Sequence, residues 1–338
     1  MTLMLVGEAF GREEEEHGKP FVGPSGKLLR SCLSQVGISF DESYTTNVFN
    51  FRPKPSNDIS NLCGAKLDGV LGWPALVKGK FVRKEYTSEL DRLLGEIDHV
   101  KPTLILALGA TASWALLKTT GIKSIRGAPL PYVRSGRTYK VLPTYHPAAV
   151  LREWKLRPIL LADLHKARRE MDFPQLRRPS RKIWIEPSLA DLDTFEREHI
   201  LRSPQLSIDI ETAGEQITCV GFAPTKDIAL VVPFVDMENK TKSYWPTLSD
   251  ELKAWAWVRR MCQNDKSKIF QNGLYDINFL WTKYGITVAN ANDDTMLAHH
   301  AMQPEMQKGL GFLGSIYTDE ASWKFMRAKH NETVKKED

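Results

Sequence analysis

Four short strand-like segments in the first half of the chain constrain its fold more than any other feature of the sequence. Two of them are followed by segments with apolar residues at helical spacing, residues 25–37 and 110–119. Runs of this length suit buried strands of a parallel sheet, and strands that alternate with helices build a three-layer α/β domain. The predicted strands are residues 2–6, 44–49, 103–108 and 139–144.

Polar residues stand at or near the ends of three of these runs. In an open parallel sheet the ligand site lies at the carboxyl ends of the strands. Glu8, Asn47 and His146 fall at such ends. The sequence therefore predicts that these three side chains share one site.

Length and composition set the class of protein. A chain of 338 residues predicts two domains, and 42% apolar with 26% charged residues is ordinary for a globular protein. The net charge of +5 is compatible with a polyanionic partner. No apolar stretch has the length of a membrane span, and the acidic N-terminus does not resemble a signal peptide. Four scattered cysteines indicate a reducing compartment, so we expect a cytoplasmic protein.

The second half of the chain begins after a basic segment with two prolines, residues 171–182, which we interpret as a linker. Its basic residues could follow a phosphate backbone or simply be solvated, and the sequence does not decide between the two. Three β-rich runs come next, residues 205–211, 216–222 and 227–234, before helical patterns return. Consecutive strands followed by helices predict a second α/β domain with a mixed sheet.

Four motifs in the first half occur together in one order and spacing. They are residues 7–11 (GEAFG), 20–23 (PFVG), 46–48 (TNV) and 144–152 (TYHPAAVLR). With these motifs, residues 1–170 resemble the uracil-DNA glycosylase superfamily, and family 4 most closely. The resemblance implies the three-layer uracil-DNA-glycosylase fold. It also implies excision of uracil from DNA by hydrolysis of the N-glycosidic bond.

The resemblance implies roles for the motif residues, because a glycosylase takes its base out of the stack and reads it in a pocket. Phe21 would stack on the flipped pyrimidine, and the Asn47 amide would bind uracil O4 and N3–H. Taken alone, Phe21 is typical of a core residue, and Asn47 could equally cap a turn.

The same resemblance assigns the residues that take part in bond cleavage and those that contact the DNA double helix. His146 would donate a hydrogen bond to uracil O2, where negative charge collects as the glycosidic bond breaks. Glu8 would orient water or stabilise the cationic sugar. Leu151 and Arg152 lie in the loop that in the family fills the gap left by the base.

Two departures from the family bear on this interpretation. Phe10 stands where the first motif usually has proline, so we expect a differently shaped loop. Family 4 proteins usually carry a Cys-x-x-Cys before the first strand, which with two later cysteines holds an iron–sulfur cluster. Four thiolates are needed for such a cluster, and this chain begins directly at the strand. We therefore expect no iron–sulfur cluster.

Carboxylates carry the chemistry predicted for the second half. Strand alternation places Asp209 and Glu211 on one face, and Asp276 follows at a strand-to-helix junction. Adjacent carboxylates suit a nuclease that uses Mg²⁺ or Mn²⁺. Residues 183–338 resemble the DEDD-type 3'–5' exonucleases, and most closely the proofreading domain of family A DNA polymerases. This implies a ribonuclease H-like fold and a helix-capping role for Asp294. We expect His299 and His300 to lie on the surface of a helix.

The exonuclease resemblance is incomplete at its C-terminal end. The family's fourth aspartate, preceded by a tyrosine or histidine base, has no match among the residues after Asp294, since Tyr317 and Asp319 do not suit the spacing. We therefore expect an incomplete exonuclease domain that is inactive alone. Another chain, or a DNA polymerase, could supply the missing motif.

Two functions are compatible with these patterns. The first is a phage-like DNA repair or replication protein that excises uracil and carries an exonuclease module. Its partners would be uracil-containing DNA, single strands or 3' ends. The alternative is a non-catalytic module that binds uracil or single-stranded DNA and works with a DNA polymerase.

Overall fold

The computed structural model describes residues 2–239 and 241–320. The chain divides into two compact units, which are described separately. Residues up to 177, together with residues 311–320, form unit 1, and residues 178–310 form unit 2. The limits predicted from the sequence (1–170, 171–182 and 183–338) stay predictions, and residues beyond 320 lie outside the described part. The grouping of residues 311–320 with unit 1 was not anticipated.

Unit 1 is built on a five-stranded sheet in the order β2-β1-β5-β7-β6. The first four of these strands pair in parallel, and β6 pairs antiparallel with β7. A short separate ribbon is formed by β3 and β4. The strands are β1 (Leu3–Ala9), β2 (Tyr44–Phe49), β3 (Cys63–Gly64), β4 (Phe81–Val82), β5 (Leu104–Leu108), β6 (Leu130–Arg134) and β7 (Arg137–Thr144).

Helices cover both faces of this sheet, as a three-layer fold requires. The helices are α1 (Arg12–His17), α2 (Pro24–Gln35), α3 (Thr87–Val100), α4 (Gly109–Leu117), α5 (Ile122–Ile125), α6 (Pro147–Arg152) and α7 (Arg157–Glu170). Alternate residues of β1 enter different cores. Met4 and Val6 pack with α3 and α4, whereas Leu3 and Leu5 pack with α2 and α7. The predicted α/β fold and its four parallel strands are therefore confirmed.

Unit 2 contains a six-stranded sheet in the order β13-β12-β9-β10-β11-β8. Its three central strands, β9, β10 and β11, pair antiparallel, and the outer pairings are parallel. The predicted mixed sheet is thus confirmed. The strands are β8 (Lys182–Trp184), β9 (Gln205–Ala213), β10 (Gln216–Thr225), β11 (Ile228–Pro233), β12 (Ser267–Phe270) and β13 (Ala291–Asp294).

The helices of unit 2 pack around a single core of aliphatic and aromatic side chains. They are α8 (Leu189–Phe195), which continues into a π-helical turn over Glu196–Ile200, α9 (Leu248–Gln263), α10 (Gly273–Tyr284) and α11 (Thr295–Met302). One further helix, α12 (Leu310–Tyr317), begins at the last residue of unit 2, and the rest of it belongs to unit 1.

The prediction that His299 lies on a helix surface was wrong. His299 is buried, whereas His300 is exposed. The Thr295 hydroxyl donates to the carbonyl of Phe270, which fixes one face of α11 against the end of β12. His299 follows Thr295 by four residues and therefore lies on the same inward face.

Across the described part of the chain, none of the helices combines the length and the apolar character that crossing a membrane would take.

Candidate active site

A cavity of about 200 Å³ opens at the carboxyl ends of the strands of unit 1. The register of β1 and β2 sets Gly7 beside Asn47, and β7 brings the segment that contains His146 to the same edge. The structure thus brings five of the predicted site residues to one cavity: Glu8, Phe21, Asn47, His146 and Arg152. Leu151 does not line it and is about half exposed on α6.

The backbone of Asn47 is fixed from two sides. Its N–H donates to Oδ1 of Asn50 at 3.2 Å, and the Arg92 guanidinium donates to its carbonyl at 2.8 Å. The side chain is 2% exposed, yet within the described residues its amide makes no hydrogen bond. The amide lines the cavity and is open to it, so its donor and acceptor groups are available to a ligand. This side chain is therefore arranged to bind something that enters the cavity.

Phe21 takes an unusual backbone conformation at the cavity wall. Its φ is +59°, its side chain is buried, and its ring lies 6.4 Å from that of His146 at an interplanar angle of 28°. Gly7 makes room for both neighbours, since a β-carbon there would lie 2.2 Å from Asn47 Oδ1 and 2.7 Å from the Phe21 ring. The glycine of the first motif thus allows the stacking ring and the amide to lie side by side.

His146 is the N-cap of α6, and this fixes its tautomer. The backbone N–H of Ala148 donates to Nδ1 at 3.1 Å, so this nitrogen carries no proton in the neutral ring. Burial lowers the pKa of His146 to about 4, and the nearby positive charge of Arg152 contributes. The imidazole is therefore neutral near pH 7, with its proton on Nε2, which has no hydrogen-bond acceptor among the described residues and can donate to a ligand.

Glu8 lies at the end of β1, where the Thr111 hydroxyl of α4 donates to its carboxylate. Burial raises the pKa of Glu8, and the Thr111 hydrogen bond and the charge of Arg152 oppose part of this rise. A carboxyl group of raised pKa and restricted orientation is suited to accept a proton from a water molecule or to face a developing positive charge.

Glu14 is a site residue that the sequence reasoning missed. Its buried carboxylate accepts the backbone N–H of Gly11 at 3.1 Å and that of Gly23 at 2.8 Å. It therefore ties the loop of Phe10 to the loop of Phe21, and it lines the cavity itself. The residue three positions before Glu14 is Gly11, which has no side-chain oxygen, so the Ser/Thr-x-x-Glu signal of a capping box is missing from the sequence here.

Phe10 is the departure from the first motif, and the structure places it in the cavity wall. Its side chain is buried, and its N–H donates to the carbonyl of Phe51 at 3.2 Å. Asn57, with a φ of +56°, lines the same wall and was also missed. Phe10 departs from the usual first motif and Asn57 lies outside the four motifs, so these two residues shape the part of the cavity that the family pattern does not specify.

The carboxylates of unit 2 lie near one another at β9 and α10. Burial alternates along β9 as predicted, so that Asp209 and Glu211 face away from the core. Asp276 is buried, and its Oδ1 accepts the N–H of Ile210 at 3.0 Å. Burial raises the pKa of Asp276, and the negative charges of Asp294 and Glu211 add to this rise. Neighbouring carboxylate charges of this kind are relieved by a bound cation.

The carboxylates of unit 2 do not form a ready metal site. Within residues 2–239 and 241–320, no cluster of three or more His, Cys, Asp or Glu side chains is arranged to hold a metal ion. Asp294 instead caps α11, because its carboxylate accepts the N–H groups of Met296 and Leu297 and also that of Gly273. The carboxylate oxygens of this region are of the kind that binds divalent cations, but they are not already arranged in the geometry of a metal site.

The described cysteines do not fit an iron–sulfur cluster. Cys32 packs in the core on one face of the first sheet and Cys63 in the core on the other face, while Cys219 and Cys262 belong to unit 2. Burial raises the pKa of the Cys32 and Cys63 thiols, which disfavours the thiolate that a cluster needs.

Comparison with known proteins gives a match over the unit that holds the cavity. Residues 1–170 match the family described as the uracil DNA glycosylase superfamily. The type-4 uracil-DNA glycosylase of Pyrobaculum aerophilum is 34% identical over 169 residues, which cover 48% of this chain and 75% of that protein.

A second relative extends over most of the chain. The DNA polymerase of Bacillus phage SP01 is 23% identical over 327 residues, which cover 88% of this chain but 32% of the polymerase. Among solved structures, Brucella melitensis NrnC is 19% identical and covers 42% of this chain and 62% of its own, with a TM-score of 0.29. A TM-score this low does not establish a shared fold.

Proposed function

The chain belongs to the uracil DNA glycosylase superfamily, and from this membership we propose that unit 1 hydrolyses the N-glycosidic bond of deoxyuridine in DNA. One observation carries the proposal. The amide of Asn47, which makes no hydrogen bond to another described residue, and the neutral imidazole of His146, with its proton on Nε2, line the same cavity beside the ring of Phe21. A flipped uracil offers the matching polar edge and the matching flat face.

In this proposal Asn47 selects the base. Its amide oxygen accepts from uracil N3–H and its nitrogen donates to O4. Cytosine carries an amino group at C4 and an unprotonated N3, so each of these hydrogen bonds would be replaced by a clash of like groups. A site built around paired polar groups discriminates strongly against an analogue that leaves them unpaired.

The chemical step moves an electron pair to the base. As the bond between C1' and N1 breaks, its electrons pass to the uracil ring and collect largely at O2, where Nε2–H of His146 donates. The sugar becomes cationic and faces the Glu8 carboxylate. A water molecule then bonds to C1' and gives up its proton to the carboxylate of Glu8, which lines the cavity. The base leaves as an anion and takes up a proton from solvent, while Glu8 returns the proton of the water to solvent, so the products are free uracil and an abasic site.

The test is a cleavage assay with the full chain. A duplex with one labelled uracil is incubated with EDTA, and abasic sites are then broken with alkali. We expect cleavage with the wild-type chain and none with the Asn47→Ala, His146→Ala double variant. Equal cleavage by both proteins would refute the proposed site.

A binding function without catalysis is favoured by one observation, the bulky Phe10 ring in the cavity wall where the family usually has proline. The same experiment separates the two functions. A silent module would retain the uracil-containing strand in a filter or gel-shift assay and leave it uncleaved, and Phe10→Pro would then be expected to restore cleavage.

For unit 2 we propose an exonuclease-like module that binds DNA near its carboxylates. Asp209, Glu211 and Asp276 would hold Mg²⁺ or Mn²⁺, and such an ion supplies activation of water and neutralisation of phosphate charge. The support is the raised pKa of Asp276 among negative neighbours. We propose further that this chain degrades 3' ends weakly or not at all, and that it works beside a DNA polymerase.

A further inference from the structure

Residues 311–320 are attached to unit 1 by side chains that are themselves buried. Arg126 is 1% exposed and Asp163 0% exposed. The Arg126 guanidinium donates through Nε to Asp163 Oδ2 at 2.9 Å, and through Nη2 to the other carboxylate oxygen. Its remaining nitrogen, Nη1, donates to the hydroxyl of Ser315 at 2.6 Å. The Arg126–Asp163 ion pair is therefore hydrogen-bonded to residues 311–320 through Ser315.

Lys166 makes the second attachment. Its ammonium group, also buried, donates to the carbonyls of Gly127 at 3.0 Å and Ser315 at 2.6 Å, and to that of Thr318. The last two carbonyls lie at the C-terminal end of α12, where unpaired carbonyls and the helix dipole favour a cation. One buried lysine thus uses two of its three hydrogen bonds to hold this segment.

Gly127 allows the close approach. A β-carbon at this position would lie 2.6 Å from Asp163 Oδ1 and 2.8 Å from the carbonyl oxygen of Ser315, and the φ of Gly127 is +73°. A side chain here would therefore push the segment away from its acceptors and donors. The surface around Gly127 therefore allows the backbone of Ser315 to approach closely, in addition to providing charged hydrogen-bond donors.

Removal of the segment would leave this surface unsatisfied. Burial already lowers the pKa of Lys166 to about 8. Without Ser315 and Thr318 the ammonium would keep one acceptor, and Arg126 would lose its hydroxyl partner. The segment supplies three acceptor atoms to these two cations, so the folded unit should be less stable without it. Such a surface is typical of one that is covered in the folded protein.

We propose that residues 311–320 are an integral strap of the glycosylase unit, and that Arg126, Gly127, Asp163 and Lys166 form its receptor. The occupant is the chain's own segment, because the buried side chains of Leu313 and Ser315 lie within it. The strap returns to unit 1 after the whole of unit 2, so residues 1–177 are an incomplete folding unit. This proposal is independent of catalysis by unit 1.

The receptor is also joined to the strand that leads to the cavity. Asp163 Oδ2, which accepts from Arg126, also accepts from the hydroxyl of Thr144 at 2.7 Å. Thr144 ends β7, two residues before His146. Release of the strap is therefore expected to loosen the backbone of residues 144–146 as well.

Hydrogen–deuterium exchange of the full chain tests the strap with a matched pair of variants. Lys166→Met keeps the length of the side chain and removes its three donors. Arg169→Met removes the pairing of Arg169 with Asp319 at 2.9 Å, which is exposed and contributes little. We expect exchange in residues 311–318 to rise about tenfold or more in Lys166→Met and to stay within about twofold in Arg169→Met. Equal exchange in the two variants would overturn the proposal.

A peptide in trans tests the receptor directly. Leu313→Asp should release the strap, and a fluorescent peptide of residues 309–320 should then bind this variant but not the wild type, whose receptor is occupied. No binding to a folded Leu313→Asp chain would contradict the proposal. Wild-type dimers that exchange the segment, seen as a concentration-dependent mass, would show that the occupant comes from a second copy and would overturn the assignment to the chain's own strap.

Discussion

The backbone N–H of Ala148 donates to Nδ1 of His146 at 3.1 Å, so the N-cap residue of α6, which lines the cavity, carries its proton on Nε2. A structural hydrogen bond here sets the tautomer of the proposed catalytic group. The two tasks of His146, capping and donation, can be separated by substitution.

We expect His146→Asn to retain stability and to lose activity. Asparagine is a good N-cap but cannot place a donor where Nε2 lies, so uracil release should fall about 10²- to 10³-fold. His146→Ala should lose similar activity and also about 1 kcal/mol of stability, because the cap is removed. Denaturant unfolding and single-turnover kinetics measure the two effects. Equal loss of stability in both variants would contradict the capping role.

The low pKa of His146 predicts a definite pH dependence. The folded pKa is about 4, below the value of roughly 6.5 expected in the unfolded chain. The contribution of this group to stability is therefore complete above about pH 6.5 and is lost as the pH falls toward about 4. Urea midpoints of the wild type should fall over this window more than those of His146→Asn. Parallel curves for the two proteins would show that His146 is not buried in its neutral form.

Asn47→Asp tests the recognition of the base. A carboxylate accepts hydrogen bonds but cannot donate to uracil O4, so we expect uracil release to fall at least about 100-fold. The matched exposed variant is Asn61→Asp, whose side chain bonds Ser56 away from the cavity. It should keep wild-type kinetics. Unchanged uracil release by Asn47→Asp would remove Asn47 from the recognition site.

Gly7→Ala tests the packing of the cavity wall. Its β-carbon would lie 2.2 Å from Asn47 Oδ1, so Asn47 and Phe21 must move and uracil release should drop with a rise in KM. The control is Gly95→Ala on α3, where a β-carbon meets no atom within 4 Å. That change should raise stability by roughly 0.5–1 kcal/mol and leave activity intact. Wild-type kinetics for Gly7→Ala would contradict the close packing of Gly7 against Asn47 and Phe21.

Metal binding by unit 2 is expected to be weak and to increase with pH. Asp276 must lose its proton to act as a ligand, and its pKa is raised, so Mn²⁺ affinity should rise as the carboxyl ionises. Electron paramagnetic resonance titration of free Mn²⁺ measures this. Asp209→Asn should weaken binding, whereas Glu215→Gln, an exposed partner of Lys283, should not. Equal affinities for these two variants would exclude the proposed ligands.

Much of the fold could be predicted because each parallel strand is a short segment of strand-like sequence and two of the four are followed by a helical pattern. Residues 44–49 were predicted and observed as β2 with the same limits. The site could be predicted because strand ends bring Glu8, Asn47 and His146 together whatever the loops do. Glu14 was missed since a buried carboxylate within a run of four glutamates has the same local pattern as a solvated one.

Long-range partners explain the remaining failures. Nothing in the sequence near Ser315 indicates that Arg126 and Lys166 will bind it, because these residues are separated by the whole of unit 2. The burial of His299 likewise depends on how α11 packs and not on its own periodicity.

Direct measurement of the released base tests the central claim, that unit 1 excises uracil. The full chain is mixed in excess with duplexes that carry one uracil or one cytosine at the same position, in EDTA, and free bases are quantified by mass spectrometry. We predict stoichiometric uracil and no cytosine from the wild type, and neither base from His146→Asn within the same time. Absence of free uracil from the wild type, with the strand bound but intact, would contradict the claim.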